Sequence, residues 1–276
     1  MVQAPSSCEH ARMTATEFEL SDRLGAVAGT VAMSGQQALL RVTADKQRAD
    51  MVRGLRTGGL IAGYRGSPLA GVDDVYEQNR AVLDQHEVRF ISGVNEDLAA
   101  TMIWGSQLAH LEDDCRYDGV FGLWYGKGPG IDRSLDALRH SNISGVDPNG
   151  GVIAAVGDDP ACKSSTVPSA SEGVLADLNM PTLYPGSVQD VLDLGRWAYE
   201  LSRFCGLWVG LKIHTDVADQ YATVMVNPAR LPSVSLPDLG GWSPSQGVTL
   251  VPATAVPLEA DAFGPRLEAA RAFVGP

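Results

Sequence analysis

The stretch GVFGLWYGKGPGIDRSLDALRH, residues 119–140, contains a strand, a turn and a helix in succession. It opens with the apolar run GVFGLWYG, which is typical of a strand buried on both faces of a sheet. GKGPG then forms a glycine-rich turn, and IDRSLDALRHS has apolar residues at helical spacing. The stretch therefore predicts one strand–helix unit of a parallel α/β sheet.

The same pattern recurs on both sides of this unit. Five further apolar runs are LIAGY (60–64), VRFISG (88–93), GVIAAVG (151–157), PTLYPG (181–186) and LWVGLKI (207–213). Helical stretches accompany them at 35–55, 72–86, 93–111, 171–179 and 187–206, and Gly58-Gly59 is a plausible stop for the first. Alternation of buried strands with helices predicts the α/β class, with a doubly wound parallel sheet of about six strands.

The two ends of the chain differ from this core in composition. Residues 1–24 are polar and predict a flexible lead-in, whereas 25–226 contain the strand and helix pattern of one domain. From 227 to 276 prolines cluster and periodicity fades, although the last residues are helix-like. This segment is predicted to be a proline-rich linker or the truncated start of a following domain.

Composition excludes several classes of function. A net charge of −12 disfavours nucleic acid or an anionic membrane as a partner, since both attract clustered Lys and Arg. Four scattered cysteines form no CxxC motif, and five histidines form no HxH or HExxH motif. The polar N-terminus lacks the regions of a signal peptide, and no apolar run is long enough to span a membrane. We expect a cytoplasmic protein.

Four polar loops follow consecutive predicted strands, where open parallel sheets bind their ligands. They are Tyr64–Pro68, Asn95–Asp97, Gly126–Gly130 and Gly157–Pro160. We expect them to converge on one rim and form a site.

Each loop taken alone also has a structural explanation. Glu96 and Asp97 could serve only to complement the dipole of a helix capped by Asn95. GKGPG could hold a phosphate, but a tight turn is favoured because it matches neither phosphate-binding motif. Ser67 could cap a helix, and Asp158-Asp159 could bind a metal, although an ordinary turn is more common.

Several of these stretches together resemble a known family. GYRGSPLAGVDD, GVNEDLAATMIWGSQ, WYGKGPGIDRSLDALRH and GDDPACKSST occur in an order and spacing similar to those of the indolepyruvate ferredoxin oxidoreductases. The resemblance is to the N-terminal part of the long fused form and covers roughly residues 30–225. It implies an enzyme dependent on thiamine diphosphate that oxidatively decarboxylates an arylpyruvate or another 2-oxoacid, forms an acyl-CoA and reduces ferredoxin.

The resemblance also assigns roles to residues. It implies that this domain binds the aminopyrimidine half of thiamine diphosphate, and Glu96 matches the carboxylate that faces the pyrimidine ring nitrogen. An apolar helix behind Glu96 would keep that carboxylate dry. Ser67 matches a substrate-facing hydroxyl of related pyruvate enzymes. Our further candidates are Arg65, Lys127 and Arg133 for the substrate, and Gly66, Gly126, Gly128 and Asn95 for the cofactor.

Some features of the family are missing. Related pyruvate enzymes have a substrate-binding arginine where this chain has Gly157-Asp158-Asp159, which implies a different, aromatic 2-oxoacid. GDG and cysteine-cluster motifs are missing, so magnesium and iron–sulfur clusters are expected only in complementary domains or partner subunits. We expect a fragment that is inactive alone and active in an oligomer. The alternatives are a flavodoxin-like module that binds a phosphate through GKGPG and a non-catalytic assembly subunit.

Overall fold

The computed structural model describes residues 19–227 and 236–274. Its eight described strands are β1 (Gly29–Ser34), β2 (Thr57–Gly63), β3 (Val88–Ser92), β4 (Gly119–Lys127), β5 (Val152–Asp158), β6 (Thr182–Leu183), β7 (Val209–His214) and β8 (Tyr221–Val226). Six of them form one sheet in the order β3-β2-β4-β5-β7-β6, and every pairing in it is parallel. The predicted α/β class and six-stranded parallel sheet are confirmed.

Helices cover this sheet. They are α1 (Asp22–Gly25), α2 (Gly35–Val52), α3 (Val72–Gln85), α4 (Glu96–Ser106), α5 (Gly128–Arg133), α6 (Leu135–Ser144), α7 (Glu172–Asp177), α8 (Val188–Cys205), α9 (Thr215–Asp219), α10 (Pro252–Phe263) and α11 (Pro265–Val274). None of these helices of the described chain is long and apolar enough to cross a membrane.

Two hydrophobic cores lie on opposite faces of the sheet, as a doubly wound fold requires. Phe121 and Tyr125 of β4 pack in the core that includes α2, α3 and α8. Trp124, between them in sequence, packs in the other core with α4, α6 and α7. Because successive side chains of a strand point to opposite faces, the continuous apolar run of β4 is buried on both sides.

A two-stranded ribbon and one helix end differ from the prediction. β1 pairs with β8 in an antiparallel ribbon from Gly29↔Val226 to Ser34↔Tyr221, which was not predicted. The proposed helix stop at Gly58-Gly59 is wrong, because both residues lie in β2. A Cβ at Gly59 would lie 2.5 Å from the Phe121 ring, so this glycine serves packing. α2 ends at Val52, and Gly54 leaves it with a φ of +79°.

The residues from 236 onward pack against the sheet domain. In α11, Phe273 contacts the rings of Trp197 and Phe204 at centroid distances of 5.6 and 5.7 Å. α10 was not predicted, because its prolines obscure the helical period, but Pro252 stands at the first turn, where proline is tolerated. The division at 227 stays a prediction, and residues 1–18 and 228–235 lie outside the described residues.

Arg266 joins this C-terminal segment to the core. Its side chain is fully buried and donates to the carbonyl oxygens of Ile143 at 3.1 Å and Ser245 at 2.6 Å, and to the Asp261 carboxylate at 2.7 Å. We expect Arg266→Met to lower the free energy of unfolding by roughly 3–5 kcal/mol, because buried acceptors and a carboxylate would lose their partner. Urea denaturation measures this change.

The control is Arg271→Met in the same helix. Arg271 pairs with Glu268 and both side chains are 69% exposed, so the expected change is under about 1 kcal/mol. Equal effects of the two substitutions would contradict the anchoring role of Arg266.

We expect the folded protein to lose stability in acid because of His86, which follows α3. Burial, with Arg48 nearby, lowers the pKa of His86 from 6.5 to about 4, and its Nδ1 lies 3.1 Å from Gln47 Oε1. The unfolded chain therefore takes up a proton at higher pH than the folded one. The stability contributed by neutral His86 is present above pH 6.5 and is lost as pH falls towards 4.

Melting temperatures from pH 7 to pH 4 test this in wild type, His86→Gln and the exposed control His140→Gln. We expect His86→Gln to lose less stability than wild type over this range, and His140→Gln to follow wild type. Parallel curves for all three proteins would disprove the role of His86.

Candidate cofactor and substrate site

The four predicted loops meet at the carboxyl edge of the sheet. Gly63, Ser92, Lys127 and Asp158 end the neighbouring strands β2, β3, β4 and β5. Because these strands are parallel and adjacent, the segments that follow them lie side by side. The structure thus brings together most of the candidate residues that were selected from the sequence.

Glu96 is the first residue of α4. Asn95 caps this helix, since its Oδ1 accepts the Leu98 amide at 2.8 Å, which confirms the capping expected of Asn95. The Glu96 backbone carbonyl accepts the indole N–H of Trp124 at 3.0 Å. Its side chain is only 7% exposed, and its carboxylate has no hydrogen-bond or ion-pair partner among the described residues. A buried carboxylate without a partner is costly, so this group is a candidate for binding a ligand.

The glycine loop packs directly against Glu96. A Cβ at Gly130 would lie 2.8 Å from Oε1 of Glu96, and one at Gly126 would lie 3.5 Å from its Cγ. Gly128 packs instead against Ser169, because a Cβ added at Gly128 would lie 2.5 Å from the Cβ of Ser169. These glycines are therefore explained by the close approach of neighbouring side chains, and binding of a phosphate is not needed to explain them. The flavodoxin-like alternative gains no support from them.

The Tyr64–Pro68 loop lies across the ends of β4 and β5. Gly66 packs on the side chain of Lys127, whose Cδ would be 2.9 Å from an added Cβ. Pro68 lies over Gly157, at 2.7 Å from an added Cβ there. Ser67 does not cap α3, whose N-cap is Gly71. Its hydroxyl instead forms a hydrogen bond with the hydroxyl of Ser164, a residue that the sequence analysis did not select.

The three candidate cations have different surroundings. Arg65 forms ion pairs with Asp73 and Asp74 of α3, and the bond to Asp73 is the main cause that raises the pKa of Arg65. Arg133 is exposed at the end of α5, and Lys127 is half-buried. Neither has an ion-pair partner in the part of the chain that the structure describes. Lys127, which packs on the neighbour of Ser67, Gly66, is therefore a cation available to a ligand.

Asp158 and Asp159 direct their carboxylates into the loop that follows β5. Asp159 accepts the backbone amides of Lys163 and Ser164, each at 2.9 Å, and the bond from Ser164 is the main cause that lowers the pKa of the Asp159 carboxyl. Asp158 accepts the amide of Ser171 at 2.8 Å. No cluster of three or more metal-ligating side chains occurs within residues 19–227 and 236–274. The arrangement fits the turn that was favoured from the sequence.

Lys212 explains how Asp158 is held. This lysine lies in the buried strand β7, and its Nζ contacts Asp158 Oδ2 at 3.5 Å and the Glu172 carboxylate. Lys212 is the only charged residue in the apolar run LWVGLKI, and this could have predicted a buried ion pair from the sequence. The ion pair was not predicted. The hydroxyl-rich run KSST, residues 163–166, could likewise have indicated Ser164 as a candidate site residue.

Comparisons with known proteins agree with this fold. A 2-oxoglutarate:ferredoxin oxidoreductase from Magnetococcus marinus, solved with 2-oxoglutarate, coenzyme A and succinyl-CoA bound, matches with a TM-score of 0.57 and 12% sequence identity. The match covers 88% of this chain and 45% of that chain. It assigns the chain to the fold class of these oxidoreductases.

Curated sequences give the closer relationship. The indolepyruvate oxidoreductase subunits IorA of Pyrococcus abyssi and Pyrococcus horikoshii are each 28% identical over 167 residues. The alignments cover 60% of this chain and 24% of each subunit, and no family model matches. The resemblance stated from the sequence is confirmed: this chain is similar to the IorA subunits of indolepyruvate oxidoreductases and spans about a quarter of their length.

Gly130→Ala tests the packing of Glu96. The three nearest atoms to the added Cβ are Cγ, Cδ and Oε1 of Glu96, between 2.8 and 3.1 Å away. We expect a loss of about 1–3 kcal/mol in unfolding free energy in wild type, and a smaller loss in the Glu96→Ala background, where the clash is removed. Urea denaturation of the four proteins gives the coupling energy.

Gly173→Ala in α7 is the matched control, because nothing lies within 4 Å of an added Cβ there. It should leave the free energy of unfolding unchanged or raise it by up to about 1 kcal/mol. Additive effects of Gly130→Ala and Glu96→Ala would show that the glycine does not make room for this side chain.

Proposed function

We propose that this chain forms the pyrimidine-binding part of a thiamine diphosphate-dependent 2-oxoacid:ferredoxin oxidoreductase. The observation that carries the proposal is Glu96 at the carboxyl edge of the sheet, a residue only 7% exposed whose carboxylate has no hydrogen-bond or ion-pair partner among the described residues. The sequence similarity between this chain and the IorA subunits supports the same class of reaction. The activity belongs to the complete enzyme, of which this chain supplies one part.

The residues around Glu96 fit one face of an aminopyrimidine ring. Backbone at Gly126 and Gly130, rather than side chains, lies beside Glu96, which leaves room for its carboxylate at this edge. Trp124 fixes the backbone carbonyl of Glu96 and so limits rotation of the first helical turn. Glu96 would hold a proton between its carboxylate and a ring nitrogen, which gives this buried oxygen the partner that it lacks. When bound, thiamine diphosphate supplies the carbon that attacks the 2-oxo group and accepts electrons on decarboxylation.

The surface beside Glu96 suits a complementary domain. Four large apolar side chains at this edge are exposed, namely Tyr64 at 43%, Ile91 at 48%, Val94 at 80% and Leu98 at 46%. An exposed apolar group around a polar pocket is typical of a surface covered by a partner. In this proposal that partner binds magnesium and the diphosphate, and iron–sulfur domains of the oligomeric enzyme pass electrons to ferredoxin.

The substrate would lie between Glu96 and the Tyr64–Pro68 loop. Lys127 offers one unpaired cation for one carboxylate, and Ser67 offers a hydroxyl. Arg65 is held by two aspartates, so a second substrate carboxylate would meet no free cation from this loop. One cation and exposed apolar side chains at this edge support an arylpyruvate as substrate. We further propose coenzyme A as the acyl acceptor and the cytoplasm as the location.

Exchange of the thiazolium C2 proton for deuterium tests the role of Glu96. The complex is isolated through the tagged full chain, supplied with thiamine diphosphate and quenched in acid for NMR. We expect Glu96→Gln to slow exchange by roughly 10²–10⁴-fold, because glutamine cannot share a proton with the ring nitrogen.

Asp97→Asn is the matched control, since it changes an acid in the same helical turn that lies outside the proposed cofactor contact. It should leave the exchange rate within about 3-fold of wild type while costing some helix stability. Equal rates in wild type and Glu96→Gln, or a complex that binds no thiamine diphosphate, would refute the proposal.

A further inference from the structure

The loop after β5 is shaped by one buried carboxylate. Asp159 is fully buried, and its two oxygens separately accept the amides of Lys163 and Ser164 at 2.9 Å. Its own amide donates to Ser169 Oγ at 3.0 Å. Cys162 completes the turn with a φ of 52°, a conformation uncommon for a residue with a side chain. The position of the Ser164 backbone is therefore set by Asp159.

This turn places Ser164 against Ser67. The two hydroxyls hydrogen-bond to each other although 97 residues separate them in sequence. Their backbones are held independently, since Pro68 packs on Gly157 and Asp159 holds Ser164. Each hydroxyl has a single proton to donate, so in a mutual bond one of the two protons has no fixed acceptor.

The charges around the pair suit an anion. Both oxygens of the Asp159 carboxylate accept backbone amides, from Lys163 and Ser164. Lys127 runs along Gly66, the neighbour of Ser67, and its ammonium has no ion-pair partner among the residues described. Lys163, in contrast, is bound to Asp219 at 2.5 Å. Two hydroxyl donors beside one available ammonium match the two oxygens of a carboxylate.

We propose that Ser164 joins Ser67 and Lys127 in binding the carboxylate of the 2-oxoacid, and that Asp159 is the positioning residue for Ser164. The inference rests on the proposed function, because it names a further residue of the same site. On binding, the hydroxyl that donates to the other serine turns its proton to one carboxylate oxygen, and the second hydroxyl directs its free proton to the other oxygen. No bond is made or broken in this step beyond the exchange of hydrogen bonds.

A titration of the full chain with phenylpyruvate, monitored by ligand-observed NMR, tests the proposal. We expect Ser164→Ala and Ser67→Ala each to weaken binding by about 10-fold, since each removes one hydrogen bond to a charged acceptor. Ser164→Thr keeps the hydroxyl and should retain the wild-type affinity. The methyl ester of phenylpyruvate should bind no more tightly to wild type than to Ser164→Ala.

Asp159→Asn tests the positioning role, because an amide cannot accept both backbone N–H groups through two oxygens. It should weaken phenylpyruvate binding as Ser164→Ala does, and the double variant should bind no more weakly than either single one. Additive losses would mean that Asp159 acts by another route and would overturn its assigned role.

Thr166→Ala is the matched control in the same exposed loop and should leave affinity unchanged. Equal affinities of Ser164→Ala and Thr166→Ala, or no saturable binding by wild type up to roughly 10 mM, would overturn the carboxylate site. Failure of the cofactor proposal has a separate signature, since it shows in the deuterium exchange of Glu96→Gln and not in these titrations.

Discussion

The close approach of the Glu96 side chain to the backbone of Gly130 is the constraint on which the site depends. α4 follows β3 and α5 follows β4, so the first turns of two helices meet above neighbouring regions of the sheet. A side chain at Gly130 would occupy the space of the Glu96 carboxylate. Trp124 ties the same turn of α4 to the underlying strand through its indole N–H. Together these contacts hold one carboxylate in a position where residues 19–227 and 236–274 give it no partner.

The other acids of this edge show why that position is unusual. Asp158 and Asp159 are as deeply buried as Glu96, but backbone amides occupy both oxygens of Asp159, and Ser171 and Lys212 occupy Oδ2 of Asp158. Oδ1 of Asp158 has no hydrogen-bond partner among the described residues. Their function is to fold the loop that follows β5. A carboxylate that is bonded by its own loop through at least one oxygen serves the fold, whereas one with no partner on either oxygen is suited to a ligand. The sequence places all three acids after strands and does not separate these two roles.

The strands and helices of the sheet domain were predictable because their physical cause is local. The apolar runs of β4 and β5 exceed what a one-sided strand needs, and Asn95 lies at the N-cap position before α4. The β1–β8 ribbon depends on residues almost 200 positions apart, and no local pattern encodes such a pairing. The Ser67–Ser164 bond was missed for the same reason, and Gly59 was misread because its cause is the distant Phe121 ring.

The carboxylates at the amino-terminal edge of the sheet can be compared with those at the carboxyl edge. There Asp50 is fully buried and accepts hydrogen bonds from Lys46 at 2.5 Å, Thr57 at 2.8 Å and Arg203 at 3.0 Å. Asp147 likewise accepts the amides of Val120 and Asn149. These carboxylates of the amino-terminal edge are satisfied within the chain.

At the carboxyl edge, Glu96 and Lys127 have no such partners among the described residues, and large apolar side chains beside them face outward. Burying a charge without a partner costs free energy, so a fold retains it where a bound group offsets that cost. The difference between the two edges therefore favours the carboxyl edge for ligand binding, without reference to any relative. In the proposed function, a cofactor, a substrate and the domain that covers them supply the partners that Glu96 and Lys127 lack among the described residues.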